Sequence, residues 1–331
     1  MEEVLRLENV NVTYGNRGNK VYAVQDASLI LNKGDSMGIV GESGSGKSTL
    51  ANAVLRLLNE ETTEVTGHAW FGGEGGKDVL AISREEMNEF RWKDISVVFQ
   101  KAMSALSPVH RIRTQVEDIY RVHEPKATSE EIRERMIYLL KLVNLAPRVY
   151  DLYPHEMSGG MLQRVAIAIS LLHGPKLVVF DEATTALDVI TQSQILDEVV
   201  QMEKEMDMAR IMITHDMSVV AASCTKVAVM YAGILVEVGE VKDIFRDPKH
   251  PYTKGLLASF PSLKGEQERL KAIPGFMPNL SVKAEGCNFA PRCAFATEEC
   301  RKRRPVAKTL EDGRMIRCLL YEKEGEEADH E

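Results

Sequence analysis

Gly41-Glu42-Ser43-Gly44-Ser45-Gly46-Lys47-Ser48-Thr49 follows the apolar run Ser36-Met37-Gly38-Ile39-Val40 and completes the pattern G-x-x-x-x-G-K-[ST]. The preceding run has the length and composition of a buried strand, and Leu50, Val54 and Leu57 after the loop recur at helical spacing. Strand, glycine-rich loop and helix therefore occur in the order that builds a nucleoside-triphosphate site. Gly41, Gly44 and Gly46 allow the backbone to curl so that successive N–H groups face phosphate oxygens. Lys47 supplies a positive charge for the β and γ phosphates, and Ser48 offers a hydroxyl to Mg²⁺. The helix that starts here points its positive dipole end at the anion. ATP or GTP is the expected ligand, with Ser43 and Thr49 in the same cradle. A Gly/Ser-rich turn with an incidental lysine is the alternative, and the flanking strand and helix weigh against it.

The chain has 331 residues and a formal charge of −8, enough for one large domain or two ordinary ones. An acidic balance argues against general nucleic-acid binding, which needs a basic phosphate-tracking surface. No stretch reaches the roughly 18 to 20 apolar residues that span a bilayer, and Met1-Glu2-Glu3-Val4 lacks the character of a signal peptide. Five cysteines, four of them after position 286, do not resemble a secreted disulfide scaffold. A cytoplasmic location is expected, and any work at a membrane requires docking on another protein.

Val4 to Val12 and Ala23 to Asn32 alternate as half-exposed strands and predict an antiparallel sheet before the phosphate loop. Ile95 to Phe99, Leu177 to Phe180, Ile211 to Thr214 and Val227 to Tyr231 are continuous apolar runs, expected as strands buried on both faces. Helical patterns over Glu130 to Asn144 and Val189 to Met206 alternate with them, so the core is expected to be a mostly parallel α/β sheet. The segment from about 101 to 175 reads as an inserted helical subdomain. Beyond about residue 240, Pro248, Pro251, Pro261, Pro274, Pro278 and Pro291 break up long elements, and residues 241–331 read as an appended region with a frayed acidic end.

Lys176-Leu-Val-Val-Phe-Asp181-Glu182 delivers two carboxylates to a strand tip. Asp181 suits Mg²⁺, directly or through water, and Glu182 suits the water that attacks the γ phosphate; a solvated acidic strand end is the bland alternative. Ile211-Met-Ile-Thr-His215 ends another strand with a residue able to donate to the γ phosphate, although a lone histidine there is more often structural. Gln100, after the run ending at Phe99, has an amide within reach of Mg²⁺ or the attacking water. In Met157-Ser158-Gly159-Gly160-Met161, Ser158 can cap a helix whose first amides are exposed by two glycines. A simple cap does not account for two poor helix formers in the first turn, and a second phosphate site does.

The phosphate loop, Gln100, Ser158-Gly159-Gly160, Asp181-Glu182, Thr185-Ala-Leu-Asp188 and His215 stand in the order and spacing of ABC transporter ATPase subunits, which the chain resembles over residues 1–240. The resemblance implies an α/β ABC-type P-loop ATPase core, with an antiparallel β subdomain and an inserted helical subdomain. It implies a head-to-tail dimer in which one subunit's signature closes on ATP held by the other. By the same resemblance Tyr14 stacks on adenine, ahead of Tyr22. Gln100 becomes the lever, Asp188 the dimer contact and His215 the switch histidine. Two departures stand out. Met161 replaces the usual glutamine after Ser-Gly-Gly, and this form is similar to the D-type ATPase of oligopeptide and dipeptide permeases. Ala183 replaces a common proline, with no donor or acceptor lost.

Asp247-Pro-Lys-His-Pro-Tyr-Thr253 and Ile273-Pro-Gly275 resemble the C-terminal extension of the same permease ATPases. Cys287, Cys293, Cys300 and Cys318 form C-x5-C-x6-C-x17-C, which fits no close-paired zinc site or ferredoxin run. Four soft thiolates still suggest metal. The resemblance favours a [4Fe–4S] cluster stapling the irregular extension, with Zn²⁺ or unligated thiols as alternatives. Arg292, Arg301, Arg303 and Arg304 either offset cluster charge or form a solvated basic face. The resemblance implies an ATPase driving solute import from the cytoplasmic face of the membrane. Its implied partners are a paralogous ATPase, two transmembrane permease subunits and, indirectly, an extracytoplasmic solute-binding protein. The expected cargo is oligopeptide or dipeptide, with oligosaccharide as the alternative. A soluble ABC ATPase outside transport is the rival, set back by the single cassette and the lack of a coiled coil.

Overall fold

Alternating apolar residues draw Glu3–Tyr14 (β1) and Val21–Asn32 (β2) into strands, with Leu5, Leu7, Val10, Val24 and Leu31 turned inward and buried. The computed structural model describes residues 2–15, 19–99, 106–183, 188–259 and 273–322. Ser36–Val40 (β3) leads through the phosphate loop to Lys47–Val54 (α1), then Thr63–Phe71 (β4) and Lys77–Asp78 (β5). Arg84–Phe90 (α2), Ile95–Phe99 (β6), Ile112–His123 (α3) and Ser129–Leu142 (α4) follow. Next come Gly159–Ser170 (α5), Leu177–Asp181 (β7), Val189–Met206 (α6) and Ala209–Ile213 (β8). The remainder comprises Met217–Ser223 (α7), Lys226–Tyr231 (β9), Ile234–Glu240 (β10), Val241–Arg246 (α8), Pro251–Ala258 (α9), Glu298–Lys302 (α10), Lys308–Thr309 (β11) and Met315–Ile316 (β12). Among the described residues no helix is long and apolar enough to cross a membrane.

The chain divides into two compact units. One comprises Met1–Val4, Leu31–Ser36 and Ile82–Ile213. Its β6, β7 and β8 run parallel, in register from Ile95, Leu177 and Ala209 to Phe99, Asp181 and Ile213. Strands β7 and β8 are apolar and buried almost throughout, as continuous runs should be. Strand β6 differs from the expectation of two buried faces, because it lies at the edge of the ladder and leaves Phe99 exposed. Helix α4 packs on α3 and α5, buries Ile132, Met136, Leu139 and Leu140, and begins at a reciprocal capping box between Thr128 and Glu131.

The second unit comprises Leu5–Ile30, Met37–Ala81 and Thr214–Glu331. It holds most of the sheet ordered β2-β1-β4-β5, in which β1 pairs antiparallel with β4. It also holds the strands ordered β11-β12-β10-β9-β3, where β3 and β9 are parallel and the others antiparallel. The region after residue 240 is thus less irregular than its prolines suggest, since β12 pairs with β10 at Glu237 and Val238. Its core joins Val40, Val229, Tyr231, Tyr252, Leu256 and Phe289, with Cys224, Cys287 and Cys293 packed against it. The Tyr231, Tyr252 and Phe289 rings lie 4.6, 5.1 and 5.4 Å apart. Each such pair contributes about 0.5 to 1.5 kcal/mol beyond its burial.

Candidate functional site

In the second unit, β3 ends at Val40 and the chain turns at once into the phosphate loop. Gly41 has φ 153°, and a Cβ there would lie 2.0 Å from the Met230 carbonyl oxygen. Gly46, at φ 103°, caps α1, and its Cβ would lie 2.3 Å from the Ala23 carbonyl oxygen. These two glycines are therefore dictated by backbone packed against the loop, a requirement additional to the phosphate approach read from the sequence. The buried Lys47 Nζ donates to the carbonyl oxygens of Gly41 and Glu42, both at 2.9 Å. Its ammonium is thus centred on the loop, where phosphate oxygens are competing acceptors of greater charge. Ser43 and Gly44 are exposed at the tip, and Ser48 and Thr49 lie in the first turn of α1. Tyr14, at the end of β1, donates its hydroxyl to Thr49 Oγ1 at 3.3 Å. The Thr214 amide donates to Ile39 O at 3.2 Å, so the exposed His215 sits on the turn next to the end of β3. The structure thus brings Tyr14, the loop and His215 together in one unit.

In the first unit, Asp181 ends β7, and Glu182 has φ 49° with its amide donating to Ile213 O at 2.9 Å. The two carboxylates leave the strand at a fixed, sharply turned backbone. Ser158 caps α5, accepting from the Met161 amide at 3.3 Å. The change to Met161 therefore leaves the backbone donor of that turn in place. A Cβ on Gly160 would meet Thr191 Cγ2 at 2.9 Å, so close packing on α6 accounts for this glycine. Gly159 is exposed. Asp188 caps α6, accepting from the Thr191 amide at 3.0 Å and its hydroxyl at 2.7 Å. Those bonds, the amide's foremost, hold its carboxyl below the usual range. Gln100 and residues 185–187 lie outside the described residues.

The four cysteines of the extension are free thiols that line one cavity of about 20 Å³, together with His250 and Phe289. Burial raises the Cys287 and Cys293 thiols and pushes Cys318 up to about 11. Among the described residues no group of three or more His, Cys, Asp or Glu side chains is arranged to hold a metal ion. The expected ligand set converges, but a preformed [4Fe–4S] or zinc site does not. The donor chemistry of four converging thiols fits a soft metal. Of the arginines, Arg301 and Arg303 lie on a solvated face, whereas Arg292 is buried. Arg292 pairs with Glu42, Arg301 with Glu298, and Arg303 with Glu299 and Glu322. Arg304 donates to Gln25 Oε1 and Ala284 O.

A family profile described as ABC transporter matches residues 24–185, and one described as oligopeptide/dipeptide transporter, C-terminal region, matches 236–300. A putative peptide import ATP-binding protein of Brucella ovis is 39% identical, over 97% of this chain and 98% of its own. The oligopeptide transport ATP-binding protein OppD of Haemophilus influenzae is 42% identical over 97% and 98%. Its namesake in Escherichia coli is 41% identical over 96% and 93%. The chain belongs to the ABC transporter ATP-binding family. Among solved structures, a bacterial ABC transporter cassette in its dimeric form matches with TM-score 0.63 and 28% identity, covering 72% of this chain and 98% of its own. CbiO1 of Clostridium perfringens, part of the ABC transporter complex cbiONQ, matches with TM-score 0.63 and 28% identity, covering 75% and 92%. This ABC ATPase also holds contacts to its loop that motif reading missed, from Tyr252 and Arg292. The only sequence signal for them is a carboxylate, Glu42, at an unconstrained position of an anion-binding loop.

Proposed function

We propose that this chain is the ATP-hydrolysing subunit of a peptide importer, peripheral on the cytoplasmic face of the membrane. The reading is carried by the union, in one chain, of an ABC cassette match and an oligopeptide/dipeptide transporter C-terminal match. Relatives covering nearly its full length are named for peptide import or oligopeptide transport; nothing favours an oligosaccharide. The catalytic cassette spans residues 1–240, with the helical insertion at 101–175 and the extension at 241–331. Loop amides and Lys47 bind the β and γ phosphates, and Tyr14 carries the adenine. Ser48, Asp181 and Gln100 hold Mg²⁺, which neutralises phosphate charge when bound. Such an ion keeps several waters, so a cage of three His, Cys, Asp or Glu side chains is not required. Glu182 orients the attacking water and His215 the γ phosphate. Ser158, Gly159 and Gly160 of a second ATPase subunit close the site, with Asp188 at the contact. A relative of this fold has been solved as a dimer after hydrolysis, bound to ADP and Pi, at 28% identity and TM-score 0.62. The second subunit is a paralogue. The pair drives two transmembrane permease subunits fed by an extracytoplasmic solute-binding protein.

Glu182→Gln tests the chemistry. ATP binding should persist while turnover falls by at least about a hundredfold, the signature of a lost water-orienting group. Turnover near wild type would reject the role. In the assembled permease, peptide-loaded binding protein should stimulate ATP hydrolysis and sugar should not. For the extension, four thiolates ligating a [4Fe–4S] cluster, or Zn²⁺, remain our reading, supported by their convergence on one cavity. Iron and sulfide, or zinc, should copurify with protein kept free of oxygen, and the absence of all three would remove it.

A further inference from the structure

Glu42, at the second position of the phosphate loop, brings a carboxylate's negative charge to a site built for anions. The structure answers this with a bidentate clamp from the C-terminal extension. Arg292 Nη1 donates to Glu42 Oε2 at 2.8 Å and Nη2 to Oε1 at 3.0 Å, across 250 residues of sequence. The guanidinium is itself fixed by the carbonyl oxygens of Pro274 at 2.8 Å and Ile273 at 3.3 Å, and by the Tyr231 hydroxyl at 3.3 Å. It also stacks over the Tyr231 ring at 5.6 Å. Its side chain is 6% exposed against 30% for Glu42, so the pair is anchored on the arginine side. The Glu42 amide donates to the Tyr252 hydroxyl at 3.0 Å, while its carbonyl accepts from Lys47 Nζ at 2.9 Å and the Ser45 amide at 3.1 Å.

We propose that Arg292 is a positioning residue for nucleotide binding: by clamping Glu42 it holds the first turn of the phosphate loop in its binding shape and makes that shape depend on the C-terminal extension. The inference rests on the reading of the loop as the ATP site. Amide, carbonyl and carboxylate of Glu42 are each held, two of the three by residues beyond position 240. Carbonyls of Gly41 and Glu42 in turn place Lys47. Releasing the carboxylate returns conformational freedom to this turn, and that freedom must be lost again when phosphate binds.

The test is ATP·Mg²⁺ affinity of the full chain by calorimetry, alongside thermal unfolding, for Arg292→Gln, Glu42→Gln, the double variant and Arg292→Lys. Lys47→Ala serves as the control for the loop. Each Gln variant should weaken ATP about tenfold, the factor equal to about 1.4 kcal/mol that corresponds to fixing roughly one residue of backbone. The double variant should be no weaker than either single, since both remove the same clamp. Arg292→Lys, which keeps the charge and loses the fork, should fall between wild type and Arg292→Gln. Unchanged affinity in both single variants, or additive losses in the double, overturns the proposal. So does tighter binding by Glu42→Gln, which would reduce the role of Arg292 to charge neutralisation. Should Arg292→Gln not fold, the partly exposed Glu42→Gln decides alone. Wild-type affinity in Lys47→Ala would instead refute the ATP-site reading itself, and the clamp would fall with it.

Discussion

His173 is poised to make this protein acid-sensitive. Its ring stacks on Tyr120 at 4.7 Å and meets His123 edge-on at 4.9 Å, and its Nε2 is buried without a hydrogen-bond partner among the described residues. Burial first, and the neighbouring His123 second, lower it from 6.5 to about 4, with Lys93 acting the same way and Glu124 opposing. Burial and Lys93 also lower His123. Each folded-state value lies below the unfolded one, so the unfolded chain takes up protons first. The stability held by the neutral rings is intact above pH 6.5 and is lost for His173 as pH falls from 6.5 toward 4. Urea unfolding should show a loss of at most about 1 kcal/mol over the first pH unit below that threshold, since solvent screens a half-buried ring, beyond the general acid trend. His173→Phe keeps a ring on Tyr120 and removes the titration. It should lower neutral-pH stability by about 1 kcal/mol through the lost hydrogen bond to the backbone at Ile119, yet flatten the acid limb. An acid limb as steep as wild type would contradict this account.

Two helix caps separate folding from function at the scale of elements. Thr128 and Ser158 each accept an amide three residues on, at 3.3 Å in both cases, and start α4 and α5. Thr128→Ala and Ser158→Ala should each destabilise by about 1 kcal/mol in urea unfolding. Only Ser158→Ala should also reduce ATP turnover in the assembled ATPase, by about tenfold or more, because only that helix tip is proposed to face phosphate. Equal turnover in the two variants would leave Ser158 as a cap alone. The same elements explain what was legible. Helix α6 was read with its true bounds because Asp188 caps it and its pattern runs unbroken to Met206. Helix α2 was missed, although Ser83-x-x-Glu86 spells its capping box. Strands β11 and β12 have two residues each and exist only through pairing, β11 with β12 and β12 with β10, so no local pattern announces them. The phosphate loop was legible because its chemistry is packed into nine consecutive residues. Arg292 was not, because its partner is 250 positions away and nothing in the sequence sets it apart from Arg301 and Arg303, which form surface ion pairs.

At the scale of the molecule, one copy of the chain carries one phosphate loop and one Ser158-Gly159-Gly160 tip. The two lie in different compact units, and the proposed nucleotide site draws on one of each. If the complement comes from another subunit, hydrolysis is a property of pairs. Specific ATPase activity should then rise with protein concentration, or on titrating in the paralogous ATPase, instead of staying constant as it does for an enzyme complete in one chain. Glu182→Gln should trap the pair with ATP, visible as a doubled mass by light scattering, and ADP should not sustain it. Val189 and Ile190 are 81% and 72% exposed beside Asp188, so Ile190→Asp should weaken this pairing with little effect on folding. A specific activity flat over about a hundredfold range of concentration, and indifferent to a second ATPase, would contradict the shared site. The nucleotide would then have to be enclosed by this chain alone, and neither the exposed Gly159 nor the apolar pair after Asp188 would have a part in turnover.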